Sequence, residues 1–346
     1  MTFSRVLLAL WLMFLGTAFS TLAEAPARVK LKPEVEKFIA RMVQQYHFED
    51  AALRPLFVQL KTNDNVVKAI SAPATSKPWN EFRALFLTPT RTSGGVAFWN
   101  DNAEQLKRAR DVYGVPEEII VAIIGVETIY GKRTGNYRVI DSLYTLAFEM
   151  PQRADYFRGE LEQFLLLTRE NGLDPGTVKG SFAGAIGMPQ FMPTSYRKYA
   201  IDFDGDGKVD LWENVPDIIG SVANYLHFFG WAAGQPIAVP ARLSGEGYKD
   251  IIEKGYKPHL TLAQMEPKGV EATDPMPPEL VSGLFALDIE QGQEYWLAFN
   301  NFFVITRYNR SKNYAMAVYQ LATAIARERE AQMTPPATVS ATQGAN

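Results

Sequence analysis

The chain has 346 residues, 47% of them hydrophobic, enough for a large buried core and more than one domain. Its formal charge is −3 at pH 7, which argues against a binder of nucleic-acid phosphates. There is no cysteine, so disulfides, thiolate nucleophiles and thiolate metal sites are excluded.

At the start, Met1 to Arg5 carries one positive charge and Val6 to Leu15 is an unbroken apolar run. Small residues follow, ending Ala23-Glu24-Ala25 before Pro26. This layout predicts a cleaved secretory signal over 1–25, the alternative being an uncleaved membrane anchor; the apolar run is shorter than the ~18 residues a spanning helix needs. Residues 26–33 read as a linker, and Pro33 opens a helix with Val35, Phe38, Ile39, Met42, Val43 and Tyr46 on one face. Residues 62–100, with Pro73, Pro78, Pro89 and Gly94-Gly95, read as loop-rich. Helices are predicted over 102–113, 116–130, 142–150, 153–170 and 216–229. Between 235 and 305 the runs Ile237–Val239, Leu284–Ile289 and Phe302–Thr306 predict a small sheet-bearing subdomain. A last helix is predicted over 314–329, and a disordered tail from Ala331. The class is mainly α with a β insertion.

The most informative segment is Ile119 to Gly131, an apolar helix that carries Glu127. A glutamate there is ion-paired, reaches solvent at a cleft, or has a pKa raised by desolvation, as a general acid at neutral pH requires. The segment alone leaves these open. A second stretch, Gly180 to Tyr196, has Gly180, Gly184 and Gly187, which let backbone approach a packed helix or a ligand closely. Gln190, between Pro189 and Phe191, needs partners for both ends of its amide, from substrate or from backbone.

Asp202, Asp204, Asp206, Asp210 and Glu213 fall at positions 1, 3, 5, 9 and 12 of an EF-hand calcium loop, with Gly207 at position 6. Lys208, at position 7, would ligate through its backbone carbonyl. Five carboxylates in twelve residues repel unless something neutralises them, so the loop predicts one structural Ca²⁺.

Other candidates carry less. His47, His227 and His259 lack ligand spacing. Asp141 reads as a helix cap rather than a second catalytic carboxylate. Glu160, Glu162 and Glu170 read as solvent-facing helix positions, and Trp79 and Trp99 as core rather than sugar platforms.

Taken in order, Gly125-Val126-Glu127-Thr128, Gly180 to Ala185, Gln190-Phe191-Met192-Pro193, Gly220 to Tyr225 and Ile305 to Asn309 resemble the membrane-bound lytic murein transglycosylase B family over about residues 30–330. The resemblance implies a lysozyme-like core (113–232 and 296–313). It adds a helical domain (26–112, joined by the helix 314–330), a small β subdomain (233–295) and a tail from 331. Glu127 matches the family's catalytic acid/base. Ser181 and Gln190 match residues near the acetamido group of the reacting sugar, and Tyr225, Tyr308, Asn309 and Tyr314 match cleft-lining positions. Arg153 matches the second of two adjacent arginines facing the peptide or lactyl side; the first is Gln152 here. A cleft tyrosine corresponds to Phe82. The family's lipid-bearing cysteine is missing, so the resemblance implies a soluble periplasmic protein, a monomer. Its partners would be peptidoglycan glycan strands and other cell-wall enzymes.

One carboxylate sets the implied mechanism. Glu127 protonates the leaving glycosidic oxygen while the 2-acetamido oxygen of N-acetylmuramic acid attacks C1. Glu127 then takes the C6 hydroxyl proton, and ring closure gives a 1,6-anhydro product. A hydrolytic muramidase on the same fold and a non-catalytic peptidoglycan binder are the alternatives.

Overall fold

The computed structural model describes residues 29–71 and 77–333; the signal-like segment, Pro73 and the tail beyond Met333 lie outside the described residues. The chain begins with α1 (Pro33–Tyr46), whose predicted face buries Val35, Phe38, Ile39 and Met42, and α2 (Asp50–Gln59).

The stretch expected to be loop-rich is helical: α3 (Asp64–Ser71), α4 (Trp79–Phe86) and α5 (Pro89–Asp101). The prolines start helices here instead of breaking them. Pro78 sits at the N-cap of α4, and Pro89 at the first turn of α5 needs no amide partner. Gly94-Gly95 lies inside α5, where a Cβ on Gly95 would come within 2.5 Å of Ile325 and 2.6 Å of the Tyr130 hydroxyl. The pair is a close-packing device rather than a turn.

Next come α6 (Ala103–Tyr113), α7 (Glu117–Thr128), β1 (Tyr137–Arg138) and α8 (Val139–Glu149). They lead to α9 (Ala154–Glu170), β2 (Lys179–Gly180), α10 (Pro193–Tyr199) and α11 (Val215–Phe228). β1 and β2 form a two-stranded antiparallel pair with Tyr137 opposite Gly180.

The subdomain read from the β-prone runs holds β3 (Ala238–Leu243), α12 (Lys249–Ile252), β4 (Leu260–Thr261) and α13 (Leu262–Met265). β5 (Val270–Ala272), β6 (Val281–Asp288) and β7 (Gln293–Ala298) complete an antiparallel sheet of order β4-β6-β7-β3-β5. The expected boundary at 295/296 therefore falls inside β7. Side chains along β6 alternate between two cores. Leu284 packs with Leu297 and Phe299 in the subdomain's own core, while Phe285 and Leu287 join the main core.

Phe302–Thr306, expected as a strand, belongs to α14 (Asn300–Tyr308). Phe302 stacks on Phe285 with centroids 4.9 Å apart, and buried Asn301 donates to the carbonyls of Ala232 and Gln235. Tertiary contacts override the β-prone composition. The last helix, α15 (Lys312–Met333), runs past the expected tail start and packs on α4, α5, α7 and α14. Among the described residues, no helix is long and apolar enough to cross a membrane.

Candidate active site

Glu127 is the penultimate residue of α7. Ile123, Ile124 and Val126 around it are buried, while its own side chain keeps partial exposure. Burial pushes its carboxyl up to about 7, and the opposing influence is the Tyr314 hydroxyl, which donates to Oε1 at 2.5 Å. Among the described residues, no second carboxylate acts on it.

The helix stops just past this residue. Ile129 and Tyr130 take left-handed φ values of 53° and 56°, a conformation disfavoured for a β-branched residue and common where a site over-determines its backbone. Two anchors hold it. Thr128 Oγ1 donates to the Met188 carbonyl at 2.8 Å and accepts from the Gly131 amide at 3.0 Å. Tyr130 donates to the Arg91 carbonyl at 2.7 Å, so this neighbour is engaged away from the carboxyl. Its ring needs Gly125: a Cβ there would lie 2.4 Å from the Tyr130 hydroxyl.

A tyrosine wall faces Glu127. Tyr314, near the start of α15, lies near-parallel to Tyr308 at 6.3 Å, and Tyr308 lies 4.9 Å from Tyr225. The Tyr225 hydroxyl donates to the Arg307 carbonyl and that of Tyr308 to the Pro189 carbonyl, both at 2.6 Å. These two offer ring faces rather than free hydroxyl hydrogens. Burial, with the Glu127 charge adding to it, holds the Tyr308 and Tyr314 phenols well above their usual range, so both stay protonated.

The glycine-rich stretch approaches protein rather than a ligand. A Cβ on Gly180 would meet the Ala185 carbonyl at 2.2 Å, one on Gly184 would meet Leu143 at 2.4 Å, and one on Gly187 (φ 72°) the Leu211 carbonyl at 2.4 Å. Gln190, itself at φ 54°, donates from Nε2 to the carbonyls of Thr134 and Gly187 at 3.0 and 2.9 Å. Its amide nitrogen is thus committed to backbone, leaving the carbonyl end. Ser181 Oγ accepts from the amides of Ala183 and Ala185, which leaves its hydroxyl hydrogen. Asn309 is exposed just past Tyr308. Arg153 is exposed, with its guanidinium 5.1 Å from the Tyr156 ring and 4.8 Å from that of Phe157. The structure joins Glu127, Tyr314, Tyr308 and Tyr225 directly; Ser181, Asn309 and Arg153 make no contact with the carboxyl.

The acidic loop is folded around its own amides. Asp202 accepts from Gly205, Asp206 and Gly207, Asp206 from Lys208, and Asp210 from Trp212 and Glu213. The carboxylate oxygens that converge within 4.8 Å belong to Asp202, Asp204 and Asp217. Asp206, Asp210 and Glu213 stand outside that group. Asp217 was not among the expected ligands because it lies beyond the twelve-residue loop, in the first turn of α11. It is fully buried and accepts from the amides of Phe203 at 2.7 Å and Asp210 at 2.9 Å, tying the loop's two ends together. An acid in the first turn of an otherwise apolar helix was the available signal. No Lys or Arg ion-pairs with these carboxylates among the described residues, and an all-oxygen donor set suits a hard divalent cation.

The loop also touches the active site. The Leu211 carbonyl accepts from the Met188 amide at 2.7 Å, and the Val209 carbonyl from the Tyr196 hydroxyl at 2.5 Å.

Residues 30–323 match the family model described as the transglycosylase SLT domain. The chain belongs to that family. It is 44% identical over 307 residues to the membrane-bound lytic murein transglycosylase B of Escherichia coli (strain K12), covering 86% of this chain and 84% of the relative. The soluble lytic transglycosylase SltB1 of Pseudomonas aeruginosa superposes with a TM-score of 0.80 at 46% identity, over 86% of this chain and 100% of that one. The E. coli lytic transglycosylase Slt35 in complex with calcium gives 0.77 and 42%, over 86% and 94%. SltB3 of P. aeruginosa in complex with NAG-anhNAM-pentapeptide gives 0.74 and 32%, over 85% and 79%.

Within this SLT-domain transglycosylase, several expectations need correction. Asp141 is not a cap: α8 begins at Val139, so Asp141 lies in its first turn, paired with Arg138 at 3.2 Å. Glu160 and Glu162 are buried, not solvent-facing. Glu160 accepts from the Thr194 amide, and Glu162 binds Arg41 and Tyr46. Glu170 is exposed and pairs with Arg197 at 2.6 Å. Phe82, expected at a cleft position, is core, 1% exposed and stacked beside Trp79. Trp79 and Trp99 are buried as expected.

Proposed function

We infer that Glu127 is the single acid and base with which this enzyme, a lytic transglycosylase of peptidoglycan, breaks the glycan strand. One observation carries the reading: a carboxyl raised to about 7 by burial, hydrogen-bonded to Tyr314, with no second carboxylate acting on it among the described residues. Such a group is part protonated at neutral pH, as acid and then base work requires.

In the first step Glu127 gives its proton to the glycosidic oxygen leaving N-acetylmuramic acid, while the 2-acetamido oxygen of that sugar attacks C1. In the second, the carboxylate takes the C6 hydroxyl proton and that oxygen closes on C1, so no water is consumed. Ser181 through its hydroxyl hydrogen, Gln190 through its amide oxygen and Asn309 from the rim would orient the acetamido group. Tyr225 and Tyr308 would offer ring faces to the sugar, and Arg153 the contact to a carboxylate of the peptide or lactyl side. The anhydro sugar bound by SltB3 supports the ring-closing course. Mass spectrometry of muropeptides released from purified sacculi tests it. Anhydromuropeptides are expected; reducing-end products heavier by one water would instead identify a muramidase.

Tyr314 sets the pH range. Its hydroxyl favours the Glu127 carboxylate, so it lowers a pKa that burial raises. Activity needs the protonated acid at the outset and falls as pH rises through that pKa. Tyr314→Phe should therefore move the alkaline limb of kcat/KM to higher pH. A limb that stays in place or moves down would count against this role.

We further propose that the loop 202–213 holds one Ca²⁺ as a structural ion. Asp202 and Asp204 would ligate it, with Asp206, Asp210, Glu213 and the Lys208 carbonyl completing the loop's donor set. The calcium bound by Slt35 supports this. The signal-like N-terminus supports export to the periplasm.

A further inference from the structure

A cavity lies between the β subdomain and α15, and neither Glu127 nor the tyrosine wall that faces it lines it. Its volume is about 490 Å³, within the usual range for small-molecule sites. Trp296 on β7 and Tyr319 on α15 form its aromatic pair, edge to face with centroids 6.5 Å apart. Asp274, Gln320, Thr323 and Arg327 supply its polar lining. Tyr319 is five residues beyond Tyr314, which turns it about 140° around the helix from the catalytic partner. The cavity therefore opens on another face of the same helix.

The polar groups here are notably unspent. The buried indole Nε1 of Trp296 has no hydrogen-bond partner. Among the described residues, Arg327 and Asp274 make no ion pair with each other or with anything else, although both act on the Tyr319 phenol. The Tyr319 hydroxyl and the Gln320 amide are likewise without hydrogen bonds among the described residues. A buried donor left unmade is costly, and sites of this kind are where a ligand is expected to complete the set.

The chemistry of the set selects the ligand. A metal ion would find one carboxylate, and a phosphate would meet Asp274 beside Arg327. An apolar ligand would leave the indole N–H unmet and would strip water from both charges. A neutral polyhydroxylated ring fits all of it: its C–H face packs on an aromatic ring, its hydroxyls donate to Asp274, and they accept from Trp296, Gln320 and Arg327.

We propose that this cavity is a second saccharide-binding site that holds a peptidoglycan glycan strand away from the catalytic cleft. The strand's identity rests on the activity inferred above; the site itself rests on the cavity. Bound there, an uncleaved strand tethers the enzyme to the sacculus and raises the local concentration of substrate at Glu127.

The test uses the full chain carrying Glu127→Gln, labelled with ¹⁵N at the tryptophan indoles and titrated with the N-acetylglucosamine tetrasaccharide. Trp296→Phe assigns the indole signal. The Trp296 N–H resonance should shift saturably, and the shift should be lost in the double variant Asp274→Ala/Arg327→Ala, whose two exposed positions are outside the core. With Glu127 restored, the double variant should bind sacculi at least threefold more weakly yet release anhydromuropeptides from short soluble strands at the native rate. A Trp296 shift that persists in the double variant would trace binding to the catalytic cleft alone and overturn the proposal, as would no shift at all. An enzyme that cleaves strands but shows no Trp296 response keeps its activity and loses this site. A saturable response in a protein that cleaves nothing keeps the site and removes the activity.

Discussion

Replacing Glu127 by glutamine is expected to abolish anhydromuropeptide release. General acid–base assistance is typically worth about 10²–10⁴-fold, and here one residue would act in both steps, so the loss should reach at least that range. The amide nearly matches the carboxyl in shape, so the fold and the binding of glycan strands should survive. Stability should change in a definite direction. The native carboxyl titrates at about 7 when folded and near its ordinary glutamate value when unfolded, so the folded state binds more protons between those values. The native enzyme therefore loses stability as pH rises from about 4.5 to 7, and Glu127→Gln does not. The variant should melt higher than the native protein at pH 8, with the gap closing at pH 4. Turnover by Glu127→Gln within tenfold of native would remove it as the acid; equal melting curves at both pH values would contradict its burial.

The second large effect concerns the acidic loop. An ion bound only by the native state stabilises it by mass action, about 2.7 kcal/mol at a hundredfold excess over its Kd. Adding calcium to chelated protein should therefore raise the melting temperature by several degrees. Asp202→Ala should lose that response, since Asp202 would ligate the ion and accepts from the amides of Gly205, Asp206 and Gly207. Asp217→Asn should lower the melting temperature even in chelator, because it disturbs the bonds to Phe203 and Asp210 that close the loop. A midpoint indifferent to calcium would overturn the metal assignment, whatever the Asp217 variant does.

Helices with one apolar face, such as α1, were legible in the sequence, and so was the apolar surround of Glu127. What escaped was decided by contacts distant in sequence. The run 302–306 has strand-like composition but is held as a helix by Phe285 and by carbonyls some 70 residues upstream. Gly94-Gly95 looked like a turn because its reason, the Tyr130 ring and Ile325, is not local. Glu160 and Glu162 looked exposed because their partners, Thr194, Arg41 and Tyr46, come from other elements. The position of Gln190 was readable; that its nitrogen is consumed by Thr134 and Gly187 was not.

The bond between Tyr314 and Glu127 spans 187 residues of chain. Contacts of that separation form late, because the intervening chain must be closed first. During synthesis, α7 and the glycine-rich stretch are complete well before α15 emerges. A half-made chain thus carries the carboxyl without its hydrogen-bond partner or the outer part of the tyrosine wall. Glu127 therefore gains this hydrogen-bond partner only when the last helix docks. A refolding time course would expose the delay: glycan cleavage should return with the slowest phase, and cleavage that returns with the first helical signal would refute it.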